Sequence, residues 1–171
     1  MEGSYGRITE VSETTVIKTK KLYASKISLN IHTQKHIHKH LLHILSDPYY
    51  ILLKVPKLVP NDAYEMEKID TRKPIILGTM GTQVICSKTK NRLIEELMYM
   101  WGDVYLEGYA AWDFELYKQP DGRIMMIDFD KFKPRRSITL SEDFFRHPCF
   151  PSKFSRMFGC LNPAIKALSY L

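Results

Sequence analysis

Glu115-Leu116-Tyr117-Lys118-Gln119-Pro120-Asp121-Gly122-Arg123-Ile124-Met125-Met126-Ile127-Asp128-Phe129-Asp130 is the stretch on which the reading of this chain turns. Gln-Pro-Asp-Gly between two short runs is a strong hairpin signal, because Pro, Asp and Gly each favour turn backbone. It predicts strands over Glu115–Lys118 and Arg123–Ile127. The second strand is apolar through Ile124-Met125-Met126-Ile127 and therefore buried, yet it runs straight into Asp128. A carboxylate at the end of a buried strand is costly unless a metal or a basic group compensates it. A hairpin brings its two ends together, so Asp113 and Glu115 can meet Asp128 in space. Clustered carboxylates repel one another, and a divalent cation removes that cost. Magnesium carrying nucleotide phosphates is the natural candidate. The plainer alternative is a set of surface acids beside a turn.

Working outward, Leu93, Leu97, Trp101 and Val104 share one face and predict a helix over 91–106, with Gly108 as its stop. A second helix is expected over 28–46, where Ile37, Leu41, Ile44 and Leu45 form a stripe and Asp47-Pro48 ends it. Strands are expected at Tyr49–Val55, at Ala63–Ile69 and, short, at Thr82–Cys86. At the front, Arg7–Val11 and Thr14–Lys20 read as a hairpin rich in β-branched residues. The tail from Lys131 is punctuated by Pro134, Pro148, Pro151 and Pro163, with a last helix expected over 163–171. The order is strands, helix, strands, long helix, hairpin and irregular tail. That is an α+β pattern with its sheet mostly at the front.

The chain has 171 residues, enough for one domain and too few for a full two-lobed enzyme with long insertions. Hydrophobic residues at 44% argue against disorder. A net charge of +6 points to phosphate-bearing ligands, nucleic acid or an anionic surface without choosing among them. Cys86, Cys149 and Cys160 are isolated from one another, and Met1-Glu2-Gly3-Ser4 lacks the basic and apolar runs of a signal peptide. No apolar run approaches membrane-spanning length. The expectation is an intracellular protein, in cytoplasm or nucleus, with no membrane partner.

Two further features bear on phosphate chemistry. Gly3-Ser4-Tyr5-Gly6 opens the first strand, and glycines at such a turn let backbone amides approach a phosphate. Lys18, in Val16-Ile17-Lys18, lies on the return strand of the same hairpin, where it can reach across the sheet toward that phosphate. A plain turn and a solvated strand lysine are the bland readings.

Together these motifs resemble the protein-kinase-like superfamily, which includes small-molecule phosphotransferases. Gly3-Ser4-Tyr5-Gly6-Arg7-Ile8 is similar to the end of the glycine-rich loop, and Val16-Ile17-Lys18 to the strand bearing the phosphate-binding lysine. Tyr64-Glu65-Met66-Glu67 resembles the strand entering the hinge, with Met66 as gatekeeper and the backbone of Glu67 to Ile69 on adenine. Gly108 to Asp113 resembles the approach to the catalytic loop, with Asp113 as base, and Asp128-Phe129-Asp130 the metal-binding segment, in a form similar to aminoglycoside-phosphotransferase-like kinases.

The resemblance covers roughly 1–132 and implies a kinase-like fold: an N-terminal antiparallel sheet with one helix, then a truncated, mostly helical C-terminal lobe. It places the N-terminal part at 1–69, a hinge near 66–70 and the reduced remainder at 71–171 of a single domain. It implies ATP and Mg2+ as cofactors, bound by Gly3, Ser4, Gly6, Lys18, Met66, Glu67 and Ile69, with Asp128 and Glu115 on the metal. The pared-down length is similar to that of compact kinase-like proteins of large DNA viruses.

The sequence departs from the family pattern in several places. Ala111 or Trp112 stands where a His precedes the catalytic Asp, and no Asn follows Asp113. Counting back from Asp128 instead puts Glu115 at the Asn position and Ala110 at the base. The helix over 28–46 holds no Glu for Lys18, only Gln34. Two functions follow. One is an ATP- and Mg2+-dependent phosphotransferase acting on a hydroxyl of an unknown protein or small molecule. The other is a pseudokinase that keeps the fold as a nucleotide-binding or interaction module.

Five of the six histidines crowd one helix, with His32, His36 and His40 at successive i,i+4 positions that could bind a transition metal. A polar helix face is the plainer reading. Lys131, Lys133, Arg135 and Arg136 make a basic run, more simply a solvated loop than a contact for nucleic acid. Nucleic acid is a possible but unfavoured partner, since the aromatic-and-basic sheet of RNA-binding domains is missing from the pattern.

Overall fold

The computed structural model describes residues 6–20, 30–78, 80–82, 85–111, 114–129 and 132–134. The expected helix over 163–171, Gly3, Ser4, Asp113 and Asp130 lie outside the described residues. The architecture is α+β. Strands β1 (Gly6–Glu10) and β2 (Thr15–Lys20) form the front hairpin, in register Ile8 opposite Lys18. Strand β4 (Glu65–Glu67) adds to β2 antiparallel, with Val16 opposite Met66, which completes a three-stranded sheet β1-β2-β4.

Helix α1 (Ile31–Ile44) begins where the Asn30 side chain accepts the Thr33 amide at 2.8 Å, a cap that sets its start inside the expected 28–46 span. Ile37 and Leu41 are its buried stripe. Helix α2 (Ser87–Leu106) starts a turn earlier than the apolar pattern suggested, because Ser87-Lys88-Thr89-Lys90 is polar and carries no periodic signal. It ends at Leu106, two residues before Gly108, whose φ of 97° is the left-handed geometry that glycine adopts without a steric penalty.

The second sheet has five strands in the order β3-β9-β8-β5-β6. It comprises β3 (Leu53–Lys54), β5 (Pro74–Gly78), β6 (Met80–Gly81), β8 (Phe114–Lys118) and β9 (Ile124–Ile127). The Pro-Asp-Gly hairpin forms as expected, with Glu115 opposite Ile127. β3 joins β9 in parallel, Leu53 beside Ile124. A further pair, β7 (Tyr109–Ala111) with β10 (Phe132–Pro134), runs antiparallel. Leu93, Leu97 and Met100 of α2 pack with Ile76, Leu116 and Met126 of this sheet and with α1 in one core.

Two expected strands are shorter than their patterns. Of the expected Thr82–Cys86 strand, Thr82, Ile85 and Cys86 lie in no strand, and the two residues between lie outside the described residues. Tyr49–Val55 pairs only at Leu53–Lys54 because the Ile51, Leu52 and Leu53 amides are taken elsewhere, by the Glu96 carboxylate at 3.0, 3.1 and 2.8 Å. Ala63–Ile69 is reduced to Glu65–Glu67. Beyond residue 70 the described chain holds one helix and six short strands, more sheet than the mostly helical C-terminal lobe expected. No helix among the described residues is long and apolar enough to cross a membrane.

Candidate functional site

A cleft of about 230 Å³ opens between the front sheet and the end of the Pro-Asp-Gly hairpin. Its apolar walls include Ile8, Val16, Met66 and Ile127, and its polar groups include Lys18, Glu67, Glu115 and Asp128. Every described residue among the expected site residues lines it: Gly6, Lys18, Met66, Glu67, Ile69, Glu115 and Asp128. They come from five strands or their ends, brought together by the β1-β2-β4 sheet on one side and β8-β9 on the other.

Lys18 sits mid-strand on β2, so its direction is fixed by the pleat. Its side chain is 11% exposed, and its ammonium lies 3.2 Å from Asp128 Oδ1. A β-carbon added at Gly6 would come within 2.9 Å of Lys18 Cε. Glycine at that position therefore leaves the corridor along which the lysine reaches Asp128. Asp128 leaves β9 with φ 71°, a left-handed conformation that Asp and Asn tolerate better than most residues. That turn carries its carboxylate off the strand and into the cleft. Glu115, on β8, accepts the Tyr117 hydroxyl at 2.7 Å. The burial of Tyr117 and the neighbouring Glu115 charge hold that phenol well above the usual tyrosine range.

Behind Lys18 and Asp128 stands a buried neutral pair from α1 and the approach to β4. His38 is wholly buried, with Nε2 at 2.7 Å from the Pro56 carbonyl and Nδ1 at 3.0 Å from the Tyr64 hydroxyl. A carbonyl only accepts, so Nε2 carries the hydrogen and Nδ1 accepts from Tyr64. Burial lowers the His38 pKa to about 4, with the Pro56 carbonyl opposing and the Lys18 charge adding to the effect. Burial and the Asp128 charge push the Tyr64 phenol up. The His38 ring also meets Phe129 edge-on at 5.1 Å, and Phe129 meets Phe132 at 5.6 Å. Helix α1 is thereby packed directly against the residue that follows Asp128.

Besides the Lys18–Asp128 pair, a second side chain ties the hairpin to the segment that follows the front sheet. Gln119 gives its amide to the Asp70 carbonyl and accepts the Asp70 N–H, both at 3.0 Å, as a strand neighbour would. The segment after β4, Lys68-Ile69-Asp70, is so held at the cleft mouth, where Lys68 also pairs with Glu10 at 2.8 Å. The sequence reading missed His38, Tyr64, Gln119 and Glu96. His38 lies next to Ile37 and three before Leu41, and Glu96 next to Leu97 and three after Leu93. A polar residue on an apolar stripe was the available signal.

Among the described residues, no group of three or more His, Cys, Asp or Glu side chains is placed to hold a metal ion by itself. Two cleft carboxylates suit magnesium nonetheless, which is commonly held by one or two carboxylates together with substrate phosphates and water.

No family model and no curated protein matches the chain. In structure, it is similar to a SAICAR synthetase solved by structural genomics, at 10% identity and a TM-score of 0.39, over 98% of this chain and 99% of that one.

Proposed function

We propose that the protein is a minimal kinase-like phosphotransferase that binds ATP with Mg2+ and transfers the γ-phosphoryl group to a hydroxyl acceptor. The observation that carries this reading is the 3.2 Å contact of Lys18 with Asp128 inside a cleft walled by apolar side chains. A cation and carboxylates in a cleft that also has apolar walls suit a ligand with a flat base and phosphates. In this reading Met66, Glu67 and Ile69 border the base, with Gly3, Ser4 and Gly6 over the phosphates. Lys18 holds the phosphates, and Asp128 and Glu115 take the magnesium, which supplies charge neutralisation when bound. Asp113 orients the acceptor hydroxyl. At about 230 Å³ the cleft falls below the usual 300–1,000 Å³ of small-molecule sites, so it would enclose the base and leave the phosphates toward solvent beside Asp128.

One observation favours the second reading, a pseudokinase that binds nucleotide without catalysis. Lys18 pairs with Asp128 itself, and α1 offers it no carboxylate. Thermal-shift titrations with ATP, with and without Mg2+, followed by phosphotransfer assays, separate the two. The enzyme predicts a magnesium-dependent rise in melting temperature that Asp128→Asn abolishes together with turnover. A rise without turnover selects the pseudokinase, and no rise with either ligand refutes nucleotide binding altogether.

A further inference from the structure

On the opposite side of α1 from His38's neighbours, two histidines face each other. His36 and His40 are one helical turn apart, and their Nε2 atoms lie 3.1 Å from one another. Their rings meet edge-on, with centroids 4.5 Å apart and planes at 84°. The other nitrogen of His40, Nδ1, has the Glu107 carboxylate from the end of α2 at 4.0 Å. That is too long for a hydrogen bond. It is close enough for the negative charge to favour Nδ1 as the protonated nitrogen of His40.

We propose that His36 and His40 are the two protein ligands of a site for a divalent transition metal ion of the Cu2+, Ni2+ or Zn2+ class. Three features carry this. First, tetrahedral zinc with nitrogen ligands at 2.0–2.1 Å spaces two of them about 3.3–3.4 Å apart, so the pair needs to open by only a few tenths of an ångström. Second, both nitrogens that converge are Nε2, and the carboxylate stands on the far side of His40. With that charge beyond its far edge, His40 turns Nε2, and not Nδ1, toward His36. Third, His36 is exposed and His40 is partly exposed, so an ion enters without disturbing the core.

In the empty pair one Nε2 donates its hydrogen and the other accepts it. When a metal ion binds, the donor ring moves that hydrogen to its own Nδ1 by exchange with solvent. Both Nε2 lone pairs then point at the ion, and the neutral pair releases no net proton. No third His, Cys, Asp or Glu among the described residues joins the set, so water fills the remaining positions. The site is independent of the nucleotide cleft, to which neither histidine contributes.

The test is titration of the full chain with Cu2+ and with Zn2+ by calorimetry, together with electron paramagnetic resonance of the Cu2+ form. One equivalent binds per chain, Cu2+ more tightly than Zn2+, and the copper spectrum shows two coordinated imidazole nitrogens. His36→Gln and His40→Gln each weaken binding at least tenfold. Glu107→Gln, which removes a charge 4.0 Å from His40 Nδ1, weakens it less than either histidine variant. His43→Gln, at an exposed histidine of the same helix, leaves it unchanged. No binding, or binding of unchanged affinity in both histidine variants, overturns the proposal. His36→Gln alters an exposed side chain, so loss of binding in that variant with an unchanged melting temperature reports ligation and not unfolding.

Discussion

His38 shows how much one side chain can settle. It is a titratable group locked in its neutral form, with both ring nitrogens engaged and a pKa lowered to about 4 from an ordinary 6.5. The unfolded chain therefore takes up a proton that the folded chain refuses as pH falls below about 6.5. Stability is unaffected by His38 above that pH and falls between about pH 6.5 and pH 4. The loss is on the order of 3 kcal/mol if the whole shift is expressed. Urea midpoints measured across that range should fall more steeply for the native chain than for His38→Gln, which cannot take up the proton. A second residue-level outcome concerns Gly6. Gly6→Val brings a side chain to within 2.9 Å or less of Lys18 Cε, so the lysine stem must shift and its contact with Asp128 is loosened. If the cleft holds nucleotide as proposed, the affinity read by the same thermal titration falls at least tenfold, while the ligand-free melting temperature changes by a few degrees at most.

At the level of elements, the buried carboxylate of Glu96 does the work that a neighbouring strand would otherwise do. It accepts three successive amides from 51–53 and, at 2.9 Å, Arg92 Nε from one turn earlier on α2. Arg92 in turn donates to the Tyr49 carbonyl and lies over the Tyr49 ring at 4.5 Å. Helix α2 is thus stitched to the entrance of β3 by charge-assisted hydrogen bonds. Glu96→Ala orphans those amides and leaves Arg92 without its carboxylate, a loss of about 3–5 kcal/mol. Chemical denaturation should show that loss, and Glu95→Ala, one position along the same helix, should cost under about 1 kcal/mol. The same network explains where the sequence was hard to read. Apolar spacing located both helices and turn residues located the Pro-Asp-Gly hairpin, because local pattern determines them. The strand at 49–55 was overread because its backbone partner is a side chain forty residues away, which no local pattern encodes.

For the whole molecule, the cleft residues were legible because each stood out against its surroundings: an acid closing an apolar strand, a lysine among β-branched residues, a glycine before a strand. Their meeting was legible only through the order of the motifs, since it depends on long-range pairings such as Val16 with Met66 and Asp70 with Gln119. Those pairings, with the single core shared by α1, α2 and the five-stranded sheet, make the halves mutually dependent. Denaturation followed by tryptophan fluorescence and by far-ultraviolet circular dichroism should therefore give coincident curves. Separate transitions would mean that the front sheet unfolds on its own.

The parallel pairing of β3 with β9 also has a consequence in time. Leu53 meets Ile124, roughly seventy residues later, and a parallel neighbour cannot be supplied by a tight turn. During synthesis the front hairpin and α1 emerge early, yet the edge of β3 stays unpaired until the Pro-Asp-Gly hairpin has left the ribosome. The apolar stretch around Leu52 and Leu53 is then the segment most in need of shelter, and the late arrival of Ile124 to Ile127 sets the pace at which the molecule becomes whole.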